Sequence, residues 1–317
     1  MTEEKWYTLL DNSLETPLKR TFTGLIKLTR FNEFGYFGVI TTLLGIAAAR
    51  GNMSWRLLVV LMANWLAVSF AYMLNDIEDA PDDAFSVKNY QRNPVSVGLI
   101  SPKTAKIAML LTGLISVGLF ALLGFWPLIF GITCLILGIM YSVKTIRLKT
   151  MTIIDIISRG LLLGGLPFLC SYFAFASTFN RIWFWPFLFV MSSTAFWEHH
   201  DEGRGAQDGR PSRLRQALLG LSERSASVVM IAMITLVTSS GVISFFLIDL
   251  VPAWVVLTIT ALLALIFVPL HLKTRRSESP QVMGGYIISA VERAVAIGLM
   301  LQFLLPWLDR LLDLGWF

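Results

Sequence analysis

Residues 75–83 read Asn-Asp-Ile-Glu-Asp-Ala-Pro-Asp-Asp, five carboxylates in nine positions directly after a long apolar run. Crowded carboxylates repel one another, and a divalent cation relieves that repulsion. Oxygen donors of this kind hold Mg²⁺ together with the phosphates of a substrate. Asn75, Asp79 and Asp83 recur every four residues and so share one helix face. Pro81 has no amide proton and clashes with the carbonyl of Ile77 in a continuous helix, so a fray or bend is expected there. Acids from a helix end and from a loop would then meet one metal. The pattern points to a membrane protein that handles a metal-bound phosphate ester.

Three other segments carry compatible chemistry. Residues 92–101, Arg-Asn-Pro-Val-Ser-Val-Gly-Leu-Ile-Ser, open on Arg92, a planar donor fork suited to phosphate. In the same segment Gly98 permits a tight turn, and Ser101-Pro102 reads as a helix cap followed by a first-turn proline. Residues 141–149 place Lys144, Arg147 and Lys149 within six positions, either as a topology signal or as a clamp for charge on a departing diphosphate. Residues 198–202, Glu-His-His-Asp-Glu, form a second acidic segment. Glu198 or Asp201 with His199 and His200 would offer zinc ligands, but adjacent helical histidines point about 100° apart and do not share one metal readily.

These groups must be positioned by membrane helices. The chain is 55% hydrophobic and only 15% charged, against about 25% charged for an ordinary soluble domain. Several apolar runs reach the ~18 residues that span a bilayer. Nine spans are expected, near 31–49, 57–74, 104–123, 125–141, 152–174, 183–197, 227–248, 252–272 and 284–305. Gly124 and Pro127 make a tight hairpin of the third and fourth. Trp183, Trp185, Trp254, Trp307 and Trp316 fall near expected helix ends, as interfacial anchors do. The polar first twenty residues lack the apolar core of a cleavable signal, so the first span is expected to supply targeting. Cys134 and Cys170 both lie in apolar segments and read as buried free thiols.

Nine spans put the termini on opposite sides. One side receives Lys5, Lys19, Arg20, Lys27 and Arg30, then Lys88, Arg92, Lys103 and Lys106, then Lys144, Arg147 and Lys149. It also receives the basic 204–224 loop and Lys273, Arg275 and Arg276. The other side receives Arg50, Arg56, Arg181 and Arg310. The positive-inside rule places the first side in the cytoplasm, and both acidic segments with it. The formal net charge of +5 therefore reads as orientation rather than as nucleic-acid binding. Within the spans, Asp155 and Arg159 are four apart and can pair on one face, and Glu292 and Arg293 are adjacent.

Together these segments resemble the UbiA superfamily of intramembrane prenyltransferases. Residues 75–83 match its NDxxDxxxD motif, and residues 92–101 are similar to RPxxSGxIS, with one extra residue and Asn93 after the arginine. Residues 141–149 are similar to YSxPPxRLK, with Lys144 and Thr145 in place of the prolines. The resemblance covers about residues 20–305 and implies a single all-α domain of nine transmembrane helices around a central chamber. It implies Mg²⁺ at Asn75, Asp76, Asp79 and Asp83, with Glu198 and Asp201 as a second set. Gly205 stands where that set's third acid belongs, and Asp208 lies just beyond.

The resemblance also implies a diphosphate held by Arg92, Lys144, Arg147 and Lys149, with Arg30 nearby, and a catalytic group of Asp79, Lys144 and Arg147. The expected reaction is transfer of a polyprenyl group from its diphosphate to an acceptor, an aromatic quinone precursor or a lipid. Prenyl cyclisation on the same scaffold and non-catalytic binding of the diphosphate are the rival readings.

Overall fold

A helix pairs every backbone N–H and C=O within its own segment, so it is the favoured form of an apolar run in lipid. The computed structural model describes residues 17–85, 87–204, 223–247, 250–274 and 280–316, and these contain helices and no strand. An amphipathic α1 (Pro17–Leu28) leads into α2 (Phe31–Ala48) and α3 (Trp55–Asp83). A short α4 (Val87–Arg92) precedes α5 (Pro102–Leu123) and α6 (Phe125–Ser142). Then come α7 (Thr152–Arg159), a π-helical stretch (Gly160–Gly165) and α8 (Leu166–Phe173). The remainder is α9 (Phe184–Arg204), α10 (Glu223–Val242), α11 (Ala253–Thr274) and α12 (Pro280–Leu312). Six stretches among the described residues are long and apolar enough to cross a membrane: α2, α3, α5, α6, Ile154–Phe173 and Val291–Leu312.

Two local expectations hold. Ser101 Oγ accepts from the Thr104 amide at 3.1 Å and caps α5 just before Pro102. Gly124 joins α5 to α6 with φ +123, a backbone state open to a residue without Cβ. Two others are corrected. The helix does not fray at Pro81; α3 continues to Asp83. Proline near a C-terminus forfeits one hydrogen bond, and neighbouring side chains tie the last turns: Asn93 Nδ2 donates to the Asp76 carbonyl at 2.8 Å, and Ser96 Oγ to that of Ala80 at 2.9 Å. The expected continuous helix over 152–174 is interrupted by the π-helical stretch.

Helix association in lipid rests on close packing and interhelical hydrogen bonds, the latter averaging about 0.6 kcal/mol each. A Cβ on Gly164 would lie 2.9 Å from Val190 Cγ1, so α9 approaches the π-helical stretch too closely for alanine. Asn64 Nδ2 lies 2.9 Å from Thr42 Oγ1, 3.0 Å from the Pro167 carbonyl and 2.9 Å from Ser171 Oγ, stitching α3 to α2 and α8. Around this polar knot, Leu43, Leu44, Val60, Phe168 and Tyr172 are fully buried. α3 packs on α5 and α6, and α12 returns against α2. Asn180 Nδ2 donates to the carbonyl of Ala48 at 2.6 Å, so the turn before α9 sits at the closing end of α2. α9 then runs back toward the end where α2 begins and α3 terminates.

Candidate functional site

The acidic end of α3 is gripped from three directions. The first is Arg30, between α1 and α2, whose backbone is left-handed at φ 49. This conformation costs a non-glycine residue about 1–2 kcal/mol. It aims the guanidinium at Asp76, where Nε donates to Oδ2 at 3.1 Å and Nη2 reaches Oδ1. Asp76 is fully buried. It was expected among the metal ligands, but its carboxylate faces inward onto Arg30. Helical phase explains the separation: Asp76 is turned about 60° from Asp79 and about 100° from Asn75. Arg30 also lies over the Tyr72 ring, 5.4 Å from its centroid, and Tyr72 stacks on Phe34.

The second grip comes from residues 143–151, between α6 and α7. Arg147 is also left-handed, at φ 46, and precedes a short 3₁₀ turn, Leu148–Thr150. The Thr150 amide and hydroxyl both donate to the Arg147 carbonyl, each at 2.9 Å, fixing the turn. Arg147 Nη2 then donates to Asp79 Oδ1 at 3.2 Å and to Asp82 Oδ2 at 3.1 Å. Lys149 Nζ donates to Asn75 Oδ1 at 2.8 Å and to the two Asp79 oxygens at 2.6 and 2.5 Å. Lys144 lies farther out, 3.8 Å from Asp82. The conformational strain at Arg147 is thus spent on delivering two cations to one carboxylate, as strained backbone at working sites does.

The third grip is the segment after α4. Asn93 Nδ2 donates to Asp83 Oδ2 at 2.9 Å as well as to the Asp76 carbonyl, and Asn93 Oδ1 accepts from the Val95 amide at 3.0 Å. Asp83 therefore points to this loop and not to the Lys149 position. Arg92, expected to hold phosphate, forms a two-pronged pair with Glu33 at the start of α2, Nε donating at 3.0 Å. Partial burial pulls the Arg92 guanidinium's pKa down, but the Glu33 hydrogen bond and charge outweigh this and hold it above the ordinary value. On the other side of the loop, Arg20 Nη2 donates to the Gly98 carbonyl at 2.9 Å, tying α1 to the turn.

Deeper along the wall, Arg159 donates from Nε to Asp155 Oδ1 at 2.9 Å and from Nη2 to Oδ2 at 2.7 Å. Its Nε also meets the Tyr141 hydroxyl at 2.8 Å. The expected pair is present, with the tyrosine of the 141–149 segment as a third member. Glu198, His199, His200 and Asp201 fall on the closing turns of α9, which return toward this end; their side chains, and residues 205–222 with Gly205 and Asp208, lie outside the described residues.

Asn93 and Glu33 were not legible as site residues. Asn93 stands out only by departing from a motif, and Glu33 only by its charge beside Arg30 in the sequence. No group of three acids, histidines or cysteines poised around one metal position occurs among the described residues. The arrangement nonetheless suits a hard cation. Three oxygens, from Asn75 and Asp79, already converge on the Lys149 ammonium, which stands where such an ion would sit. Nearby, Arg147 Nε and Ser142 Oγ are buried without a hydrogen-bond partner among the described residues. Such orphaned donors in a cationic wall are what a phosphate oxygen would satisfy.

The profile of the UbiA prenyltransferase family matches residues 38–289. The chain belongs to this family. Six apolar helices among the described residues, together with UbiA membership, make it a multi-pass integral membrane protein. Solved UbiA-type structures share its fold. One, from work on digeranylgeranylglyceryl phosphate synthase in membranes, has TM-score 0.58 and 15% identity, covering 88% of this chain and 98% of the other. A UbiA homolog from Archaeoglobus fulgidus bound to Cd²⁺ has TM-score 0.56 and 14% identity, over 87% and 99% of the two chains. The same homolog bound to GPP and Mg²⁺ has TM-score 0.50 and 14% identity, with the same coverage. No curated protein matches the sequence.

Proposed function

We propose that this protein is a Mg²⁺-dependent prenyltransferase, moving a polyprenyl group from its diphosphate to an acceptor within the membrane and releasing diphosphate. The observation that carries this reading is the convergence of Asn75 Oδ1 and both Asp79 oxygens on one cation position, with Arg147 and Lys144 beside it. The GPP- and Mg²⁺-bound homolog supports the ligand class. Nine spans in one domain around a chamber open to the cytoplasm, with the N-terminus cytoplasmic, complete the reading. Lys and Arg distribution supports that orientation.

Asn75 and Asp79 would hold the metal, joined by Asp83 on reorientation of its side chain and by Glu198 and Asp201 from α9. Bound Mg²⁺ would supply the positive charge that neutralises the diphosphate oxygens. Lys144, Arg147 and Lys149 donate to the same oxygens as the carbon–oxygen bond breaks and its electron pair leaves with the diphosphate. Arg92 would join them on exchanging its Glu33 partner. An electron pair of the acceptor, a ring π pair of an aromatic or an oxygen lone pair of a lipid alcohol, forms the new bond to the prenyl carbon, and the proton on that carbon or oxygen is lost. The surrounding apolar helices exclude water that would otherwise capture the cationic centre.

Purified protein, a radiolabelled prenyl diphosphate, Mg²⁺ and a panel of quinone precursors and lipid acceptors test the reading. Labelled product from wild type and far less from Asp79→Ala is expected; equal product from both would sink it. A cyclic hydrocarbon formed without acceptor would point to a cyclase. A second reading, non-catalytic diphosphate binding, is favoured by Gly205 at the third position of the second acidic segment. It predicts binding with no pyrophosphate release.

A further inference from the structure

Lys149 differs from the other cations of its own loop, Arg147 and Lys144. Its side chain is only 5% exposed, against 18% for Asp79, 30% for Arg147 and 48% for Lys144. The ammonium is enclosed rather than offered outward. Three oxygens on one face of α3, from residues one helical turn apart, lie 2.5–2.8 Å from it. That is the reach of a compact cation, and a small drawing-in would bring the same oxygens to the 2.0–2.1 Å that Mg²⁺ demands. An ammonium and a divalent ion cannot both occupy the position, since like charges at that separation repel.

Rotation about its four-carbon stem would carry the ammonium off the seat while the 3₁₀ turn beneath it stays tied by Thr150. Exposure increases from Lys149 through Arg147 to Lys144, so the path outward leads along the cationic wall.

We propose that the Lys149 ammonium is a built-in counter-ion that holds the Asn75–Asp79 seat until a divalent cation replaces it, so that metal loading is the event that delivers Lys149 to the diphosphate. This rests on the transferase reading above and adds an order to it. Before loading, the seat is neutralised and Asp79 is fixed in place. After loading, a buried cation is turned toward the substrate anion. The lysine and the metal exclude each other from one seat, so the metal's apparent affinity is reduced by the fraction of protein whose seat the lysine has left.

Direct Mn²⁺ titration followed by electron paramagnetic resonance, on full-length protein in detergent without donor, tests the exchange. Lys149→Met is expected to bind Mn²⁺ about tenfold more tightly than wild type, the gain for a lysine that fills the seat about nine-tenths of the time. Lys149→Arg, which keeps the charge, is expected to restore weaker binding. Unchanged or weaker Mn²⁺ binding in Lys149→Met would overturn the exchange. If wild type still transfers prenyl groups in that case, the transferase reading stands and only the exchange falls. A second measurement needs no variant: Mg²⁺ should raise labelling of Lys149 by an amine-reactive reagent, quantified by mass spectrometry. Labelling that stays flat or falls with Mg²⁺ also overturns the proposal.

Discussion

Asp76 and Asp79 are one helical turn apart on α3 and have the same chemistry, yet they occupy opposite situations. Asp76 is fully buried and locked by Arg30, from the segment that launches α2. Asp79 is part-exposed and held by Arg147 and Lys149 from a strained loop. The first carboxylate is an internal strut. The second is the carboxylate proposed to hold the metal, and its partners are long cationic side chains. A run of acids is therefore not one site, because helical phase assigns its members to different neighbours. The loop after α4 underlines the point, since Asn93 ties to the Asp76 carbonyl on one side and the Asp83 carboxylate on the other.

The comparison can be broken most forcefully at Asp76. Asp76→Ala leaves the Arg30 guanidinium buried beside Glu33 alone and should destabilise the protein by about 3–5 kcal/mol, the range for orphaning one member of a buried pair. Thermal unfolding in detergent, followed by tryptophan fluorescence, reads this directly. A wild-type melting curve would remove the strut. Asp79→Ala should cost less stability than Asp76→Ala, because Lys149 keeps Asn75 and Arg147 keeps Asp82, while prenyl transfer falls by about 10²–10³-fold, the loss expected when a main electrostatic stabiliser is deleted. A large stability loss with residual activity intact would make Asp79 a second strut.

Smaller effects sharpen the boundary between the two sides. Asn93→Ala removes the brace on the last turns of α3 and should cost about 1–3 kcal/mol, the penalty for buried polar groups left unpaired. Hydrogen exchange should then speed up selectively at residues 80–84. Uniform exchange across α3 would show that Pro81 tolerates its place without help. The smallest effect is expected at Glu33→Gln. The Arg92–Glu33 pair is more than one-third exposed on both members, so its loss should change stability by no more than about 1 kcal/mol. Donor-diphosphate binding, measured by calorimetry, should tighten as Arg92 is released. Weaker binding would make Glu33 a positioning group for the donor.

Much of the architecture was readable from hydropathy. The starts and ends of α2, α5 and α6 fall within a few residues of their expected positions, because apolar length, Gly124 and Ser101-Pro102 are local signals. The Asp155–Arg159 pair was equally local, four residues apart on one helix. The persistence of α3 past Pro81 was not, because Asn93 and Ser96 provide the support from another segment. The π-helical stretch has no periodic signature either; it occurs where Gly160 and Gly164 let α9 come close.

The sequence by itself determined a helical membrane protein, the acidic terminus of α3 and the basic character of the segments around it. Composition and spacing suffice for this because a helix satisfies its own backbone and reports its faces at a fixed period. Only the tertiary structure decided which cation meets which acid at the end of α3. Arg30 reaches Asp76 across 46 residues and Lys149 reaches Asp79 across 70. Those pairings depend on where helices converge and on the left-handed backbones of Arg30 and Arg147, for which neither residue type carries a local preference.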